Sequence, residues 1–284
     1  MIRVNPRLTE KLAFFFLLLS TLVIVIPVVL ITLLILKNGW GGLSWEFLSQ
    51  GPRLGMRAGG IFPAIVGTLY LVLGTMCFAL PSGILAAIYL SEYAKDNGLT
   101  RAIDMAIVNL AGVPSVVYGL FGLGLFVAFL NFGTSILAGS LTLAIMSLPV
   151  IITASREAFG TVPQSFREVS LALGATKWQT IHRVVIPNAL PGILTGTILA
   201  LSRAAGETAP ILFTVAAFYL PRLPHSVLDQ CMALPYHLYV ISTQVPNVKP
   251  GVQYGTALVL ILMVLAMNLC AIFIRAHFRR KKQW

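Results

Sequence analysis

Long apolar runs alternate with short polar loops along the chain. Six of these runs approach the roughly 20 apolar residues that a helix needs to cross a bilayer. We therefore predict transmembrane helices over residues 13–36, 62–90, 105–129, 135–154, 190–217 and 254–275. The first run is longer than the core of a signal peptide and lacks a clear cleavage site, so we expect it to be retained. The pattern predicts an all-α polytopic membrane protein whose termini share one side.

Composition supports this class and limits the chemistry. Of the 284 residues, 57% are hydrophobic and 10% are charged, which excludes a soluble surface of ordinary composition. The net charge of +11 is typical of cytoplasmic loops near anionic headgroups, since no interleaved basic and aromatic patch for nucleic acid is present. Cys77, Cys231 and Cys270 form no metal or disulfide pattern. We interpret His225 and His237 as surface or interfacial residues and expect no metal or cofactor.

The distribution of basic residues predicts the orientation of the chain. Of the 20 Lys and Arg, 14 fall in the terminal segments and the loops on their side: Arg3, Arg7, Lys11, Lys95, Arg101, Arg156, Arg167, Lys177, Arg183, Arg275, Arg279, Arg280, Lys281 and Lys282. The opposite loops hold 5, namely Lys37, Arg53, Arg57, Arg222 and Lys249, and the last, Arg203, lies within a span. The positive-inside rule therefore places both termini in the cytoplasm. We expect the basic C-terminal tail to bind lipid headgroups.

A polar stretch within the predicted cytoplasmic loop at about 155–190 favours two short helices. Pro163 and a Ser165-x-x-Glu168 capping box begin the first, and Thr176-x-x-Gln179 begins the second. Gly174 lies between them, where a left-handed residue would turn the chain. Pro187 is expected to end the second helix.

The first of these helices is amphipathic. Its apolar positions recur at helical spacing, and they are Val162, Phe166, Val169 and Leu173. The polar face opposite them consists of Gln164, Arg167 and Glu168. The pattern predicts an apolar face that packs against a partner.

This loop resembles one in a known family. Glu168, Gly174 six positions later and the following Val184-x-Ile186-Pro187 are similar to the EAA loop of ABC importer permeases, although Val169 and Ser170 stand in place of two alanines. The resemblance implies docking on a separate ATPase subunit, through Glu168, Gly174, Phe166, Val169 and Leu173. Alternatively, an amphipathic loop could lie on lipid headgroups or pack on neighbouring helices.

Prolines and glycines interrupt two predicted spans and the longest outer loop. Pro81 and Gly83 predict a kink in the second span. In the third span, GVPSVVYGLFGLG favours close helix packing, although Ser115 and Tyr118 could instead offer hydroxyl groups to a transport pathway. The outer loop over 218–253 contains too many prolines to span, and we predict that it covers the outer mouth of a pore.

Arg203 and Glu207 form a charged pair within the fifth predicted span. They lie four positions apart in LSRAAGETAPILFT, hence on one helix face and near mid-bilayer. A charge there costs about 2.5 to 3.5 kcal/mol even on an insertion scale, so it faces a partner, a cavity or a pathway. A guanidinium fits a tetrahedral oxyanion, and a nearby carboxylate would help the anion leave. A structural ion pair is the alternative, although arginine before glutamate is the weaker order along a helix.

The segments RAAGETAPILFT, GVPSVVYGLFG and GVQYGTALVLILMVLAMNL resemble the PstA-type permeases of phosphate ABC importers. The resemblance implies a type I ABC importer permease fold. An N-terminal segment with the first helix and an outer loop would occupy 1–60, and the transmembrane domain would occupy 61–284. It also implies functional roles for Arg203 and Glu207 in a bacterial inner membrane. The implied partners are ATPase subunits, a PstC-type permease and an external phosphate-binding protein.

Three other functions are weighed against phosphate import. A permease for another oxyanion, such as phosphonate or sulfate, fits as well by charge, since one arginine does not distinguish tetrahedral anions. An ion-coupled secondary anion transporter would use Arg203 and Glu207 as a relay. A membrane enzyme is disfavoured because no paired carboxylates or HExxH lie at membrane depth. The sequence contains no GxxxxGK[ST], so ATP hydrolysis is expected on another subunit.

Overall fold

The chain folds into a bundle of long helices with shorter helices at its ends. The computed structural model describes residues 6–280, so Arg3 and the tail beyond Arg280 lie outside the described residues. Within that range the helices are α1 Pro6–Gly39, α2 Trp45–Ser49, α3 Phe62–Ile88, α4 Gly98–Ala111, α5 Ser115–Gly122, α6 Ile136–Gly160, α7 Gln164–Ala172, α8 Lys177–Thr180, α9 Ile186–Gly206, α10 Ala209–Thr214, α11 Leu234–Thr243 and α12 Pro250–Arg280.

Smaller elements complete the chain. The 3₁₀ turn Trp40–Gly42 follows α1, and π-helical segments continue three helices: Tyr89–Tyr93 after α3, Leu123–Phe129 after α5 and Ile181–Val185 after α8. Strands β1 Pro52–Arg53 and β2 Ala58–Gly59 form an antiparallel hairpin.

Most of the predicted spans are confirmed. Glu10–Gly42, Phe62–Tyr93, Ile136–Gly160 and Pro250–His277 are each long and apolar enough to cross a membrane. With Lys177–Gly206 they make five such helices in the described part of the chain, and a bent pair makes up to six. The α3 helix continues through Pro81.

The prediction of one continuous third span over 105–129 is wrong. Gly98–Ala111 and Ser115–Phe129 meet at a bend of 105°. Pro114 is in an extended conformation with φ −59° and ψ 141°, because proline cannot donate the hydrogen bond that would continue the helix. The α4 helix is strongly amphipathic and has no buried residue, which is typical of a helix lying along an interface.

The fifth span also differs from its predicted limits. Pro187 does not end the helix, because the π-helical segment Ile181–Val185 leads directly into α9, and such local adjustments let membrane helices tolerate proline. The helix then ends at Gly206 and restarts at Ala209. The predicted continuous helix over 190–217 is therefore replaced by one that begins earlier and breaks beside Glu207.

Helix α6 is the centre of the bundle. An added methyl at Gly74 or Gly83 of α3 would overlap Ser140 or Ile151 of α6, and one at Gly192 or Gly196 of α9 would overlap Ala158 or Ala154. Small residues let membrane helices approach this closely. The order of these contacts shows that α3 runs parallel to α6 and α9 runs antiparallel to it.

Helix α1 is largely separate from this bundle. Its apolar window has a hydropathy of 3.0 and no residue buried against the rest of the chain. It is anchored at its end, where Gly39 lies against Tyr254 and Leu258 of α12. Its apolar surface is therefore available to lipid or to another subunit.

The loop over 218–253, which was predicted to lie outside, is a packed part of the protein. Its short helix α11 contributes Leu234, Val240 and Ile241 to the main hydrophobic cluster. The interpretation of His237 as a surface or interfacial residue is wrong, since it is only 3% exposed, and burial lowers its pKa to about 4. Cys231 is also buried, which raises the pKa of its thiol to about 12. His225 is exposed, as predicted.

Candidate functional site

Arg203 and Glu207 form an ion pair at the break between α9 and α10. Arg203 lies in the last turn of α9, and Glu207 follows the helix in an extended conformation with φ −72° and ψ 134°. The sequence spacing suggested that the two residues share one helix face, but Glu207 lies outside α9. The Arg203 Nε nevertheless donates to Glu207 Oε1 over 3.2 Å.

The helix contacts place this pair near the middle of the bundle. Gly192 and Gly196 lie against Ala158 and Ala154, and continuing this antiparallel order brings Arg203 beside the middle of α6. On the other side of α9, Ser202 donates to Asn268 of α12 over 2.6 Å. The pair therefore lies at membrane depth, where a charge requires a polar partner or an aqueous pathway.

The pair is only partly covered by its own chain. The Arg203 side chain is 37% exposed and that of Glu207 is 16% exposed. Within the described residues, the hydrogen bond of Arg203 to Glu207 uses Nε, so the two terminal nitrogens of the guanidinium are available to an anion. Such an arrangement can hold an oxyanion. The carboxylate of Glu207 can then compete for the same guanidinium donors, which helps the anion to leave.

Tyr118 and Ser115 have different surroundings. The Tyr118 side chain is buried, and its hydroxyl donates to Leu110 O over 2.8 Å across the α4–α5 bend. Tyr118 also lies within electrostatic range of Arg203. Ser115 is the first residue of α5 and is half-buried. Tyr118 therefore lies within range of the charged pair, but its hydroxyl proton is already donated to the carbonyl oxygen of Leu110.

The loop predicted at about 155–190 forms the two short helices α7 and α8, as expected. Gly174 has a φ of +84°, a left-handed conformation that glycine adopts without steric cost. The predicted capping box of Thr176 and Gln179 is present. The predicted capping box of Ser165 and Glu168 is wrong, because Pro163 occupies the N-cap and no side chain caps α7.

The predicted apolar face of α7 divides into two parts. Val162 is buried, and Phe166 packs against the apolar cluster formed by the C-terminal ends of α3 and α6 and the N-terminal part of α9. Val169 is 60% exposed and Leu173 is 83% exposed, while Glu168 is exposed as well. The inner part holds α7 to the bundle, and the outer part remains available to another protein.

Arg167 was predicted on a polar face, and this is wrong. Its Nη2 and Nε donate to Glu92 Oε1 over 2.8 and 3.2 Å, and both side chains are nearly buried. Glu92 lies 75 residues earlier in the sequence, so periodicity within the loop could not identify it. A second pair that sequence reasoning missed joins Arg156 of α6 to Asp104 of α4.

Comparisons with known proteins agree with this architecture. Residues 79–284 match the family model described as "Binding-protein-dependent transport system inner membrane component". A probable ABC transporter permease, YqgI of Bacillus subtilis, is 33% identical, covering 94% of this chain and 95% of the relative. The phosphate transport system permease PstA 1 of Mycobacterium tuberculosis is 36% identical, covering 90% and 84%.

Solved structures show the same fold. A bacterial ABC transporter for alginate import has a TM-score of 0.68 at 15% identity, covering 95% of this chain and 99% of that one. The MetNI methionine ABC transporter has a TM-score of 0.57 at 16% identity, covering 77% and 94%. The fold is that of the type I ABC importer permeases. Together with the family match, this shows that the chain belongs to the inner membrane components of binding-protein-dependent transport systems, the permeases of ABC importers.

Proposed function

We propose that this chain is a permease subunit of an ATP-driven phosphate importer and forms half of the translocation pathway. The observation that carries the proposal is Arg203, a partly exposed guanidinium in the last turn of α9 that is paired with Glu207. Its planar donors suit phosphate. The names of similar proteins support the same substrate, since PstA of Mycobacterium leprae is 34% identical over 94% of this chain.

A permease for another oxyanion is the second candidate. The guanidinium fork fits any tetrahedral oxyanion, so Arg203 alone does not select phosphate. The membership in ABC importer permeases disfavours an ion-coupled secondary transporter. We expect the chain itself to hold no cofactor.

The exposure of Arg203 supports a second permease subunit. A guanidinium that is 37% exposed at membrane depth cannot face lipid at low cost. A second subunit would cover the open side of the pair and complete a polar pathway between the two chains. A PstC-type permease suits this role, and the uncovered apolar surface of α1 gives it a further contact area. Residues 61–284 would form the main transmembrane domain, and 1–60 would supply the additional helix.

The docking of an ATPase is assigned to the exposed part of α7 and the Gly174 turn. Val169 and Leu173 would make apolar contacts with the ATPase, and Glu168 would contribute a charge. Phe166 would hold α7 in position by packing against the bundle. Large exposed apolar residues on a polar loop are typical of interaction sites. An external binding protein would deliver phosphate to the opposite face.

The experiment that tests this function is joint expression of the chain with its candidate ATPase and PstC-type permease. We expect the three to co-purify and, in vesicles with the binding protein, to take up labelled phosphate when ATP is supplied. Excess sulfate or phosphonate should compete poorly. Failure to recover the ATPase would contradict the proposed role in ATP-driven import, while stronger competition by sulfate or phosphonate would favour the second candidate.

The proposed orientation gives a separate prediction. In a background with Cys77 and Cys270 changed to alanine, a cysteine at Leu173 should react with a membrane-impermeant maleimide only from the cytoplasm, and one at Val227 only from outside. Both positions are well exposed, and the positive-inside rule sets their sides. Cys231 should stay unlabelled because it is 1% exposed. The reverse pattern would overturn the orientation and the ATPase docking together.

A further inference from the structure

A nearly buried ion pair links the cytoplasmic loop to the transmembrane bundle. Arg167 of α7 and Glu92 of the π-helical segment after α3 approach to 2.8 Å, with side chains only 14% and 10% exposed. Two other ion pairs lie on this side in the described part of the chain: Arg101 with Asp96 is 70% and 76% exposed, and Arg156 with Asp104 is 34% and 35% exposed. The Glu92–Arg167 pair is thus shielded from the solvent and salt that weaken surface pairs.

Arg167 also joins a third element. Its Nη1 donates to Val162 O over 2.7 Å, and its Nη2 donates to Phe159 O over 2.9 Å. The guanidinium therefore connects α7 with the end of α3 and with the last turn of α6. An apolar contact could hold α7 in place, but it would allow sliding, whereas several directed hydrogen bonds from one planar group fix the orientation of the helix.

The geometry separates this connection from the exposed docking surface. Val169 of α7 and Leu173 at its C-cap are exposed and point away from the bundle, while Phe166 and Arg167 point toward it. Ser170 is hydrogen-bonded to Thr180 over 2.9 Å, which ties α7 to α8. A force applied to the outer surface of this loop would therefore move the loop as a unit against Glu92.

The end of α3 leads to the candidate substrate site. Helix α3 is packed closely on α6 through Gly74 and Gly83, and α6 is packed closely on α9 through Gly192 and Gly196. Arg203 lies near the end of α9. Tightly packed helices transmit displacements because they have no free volume to absorb them.

We propose that Glu92 and Arg167 are positioning residues that transmit movement of the docked ATPase to the transmembrane helices and so couple ATP hydrolysis to transport. This inference rests on the proposed function. It assigns the two residues to coupling, and not to ATPase binding. The pair would act as a rigid connection between the loop and α3.

The test uses the purified complex in vesicles and measures ATPase recovery, ATP hydrolysis and phosphate uptake for each variant. Glu92→Gln removes the charge but keeps the shape of the side chain. We expect normal ATPase recovery and at least about a fivefold loss of uptake per ATP hydrolysed, the lower end of typical coupling between sites. The charge exchange Glu92→Arg with Arg167→Glu should restore part of this ratio. Asp96→Asn, in the exposed pair, is the matched control and should leave the ratio unchanged.

The outcomes distinguish this inference from the proposed function. If the unmodified chain recovers no ATPase, the proposed function fails. If Glu92→Gln shows the uptake per ATP of the unmodified complex, the coupling role is overturned. Loss of ATPase recovery at a normal membrane level would also overturn it, because the pair would then serve docking. Should Glu92→Gln not accumulate, Glu92→Asp carries the same test, since it keeps the charge but withdraws it from Arg167.

Discussion

Arg203→Lys should reduce phosphate uptake by at least about tenfold, because one charged hydrogen bond contributes about 1.5 to 3 kcal/mol. Lysine keeps the charge but loses the planar fork, so it cannot hold Glu207 and the anion in the same geometry. Arg203→Gln should be worse, since it leaves the carboxylate of Glu207 without its partner. The measurement is labelled phosphate uptake in cells without other phosphate importers, with the membrane level of each variant checked by blot.

The double variant separates an anion ligand from a structural pair. If Arg203 binds the anion, changing both Arg203 and Glu207 to Gln should not restore uptake. If the pair is structural, the double change should be milder than either single change, because it removes the uncompensated charge. Near-normal uptake by the double variant would therefore exclude the ligand role. Arg275→Lys is a suitable control, since Arg275 is only half-buried and donates to Thr195 near the C-terminal end of α12, away from the Arg203–Glu207 pair.

Gly174→Val should abolish most ATPase recovery while leaving the chain in the membrane. Gly174 has a φ of +84°, and a β-branched residue forced into this region costs on the order of 1 to 3 kcal/mol. No atom crowds the position, so the backbone conformation is the sole reason for the effect. The loop would relieve the strain by changing the angle between α7 and α8, which misplaces the docking surface. The measurement is ATPase co-purification together with uptake.

Two further variants make this prediction specific. Gly174→Asn should retain more ATPase than Gly174→Val, because asparagine tolerates the left-handed conformation better than other side chains. Gly160→Val is the matched control: this glycine also has open space around it but no positive φ, and it lies at the end of α6 beside the same loop. Equal loss of ATPase in Gly160→Val and Gly174→Val would show that the turn has no particular role. Full recovery of ATPase and uptake in Gly174→Val would contradict the docking assignment.

The sequence by itself determined the membrane class, most of the spans and the left-handed turn. These features depend on local properties: the length of an apolar run, the missing side chain of Gly174 and the hydrogen bonds between Thr176 and Gln179. It also identified Arg203 and Glu207 as a charged pair, because any charge within an apolar run requires compensation. The family resemblance, carried by short motifs, is confirmed by the family match over residues 79–284.

Tertiary structure decided which way the polar residues turn and where the helices break. Periodicity placed Arg167 on the polar face opposite the apolar positions, but its ion pair with Glu92, 75 residues away, orients the side chain toward the bundle. His237 and Cys231 are buried because α11 packs into the main cluster, a contact that a proline-rich loop sequence does not reveal. Similarly, Pro114 permits the 105° bend after α4 and Gly206 permits the break before Glu207, but the packing of neighbouring helices decides whether such a residue breaks a helix or is tolerated within it, as Pro81 is in α3. Contacts between distant segments set these features, and local periodicity carries no information about such contacts.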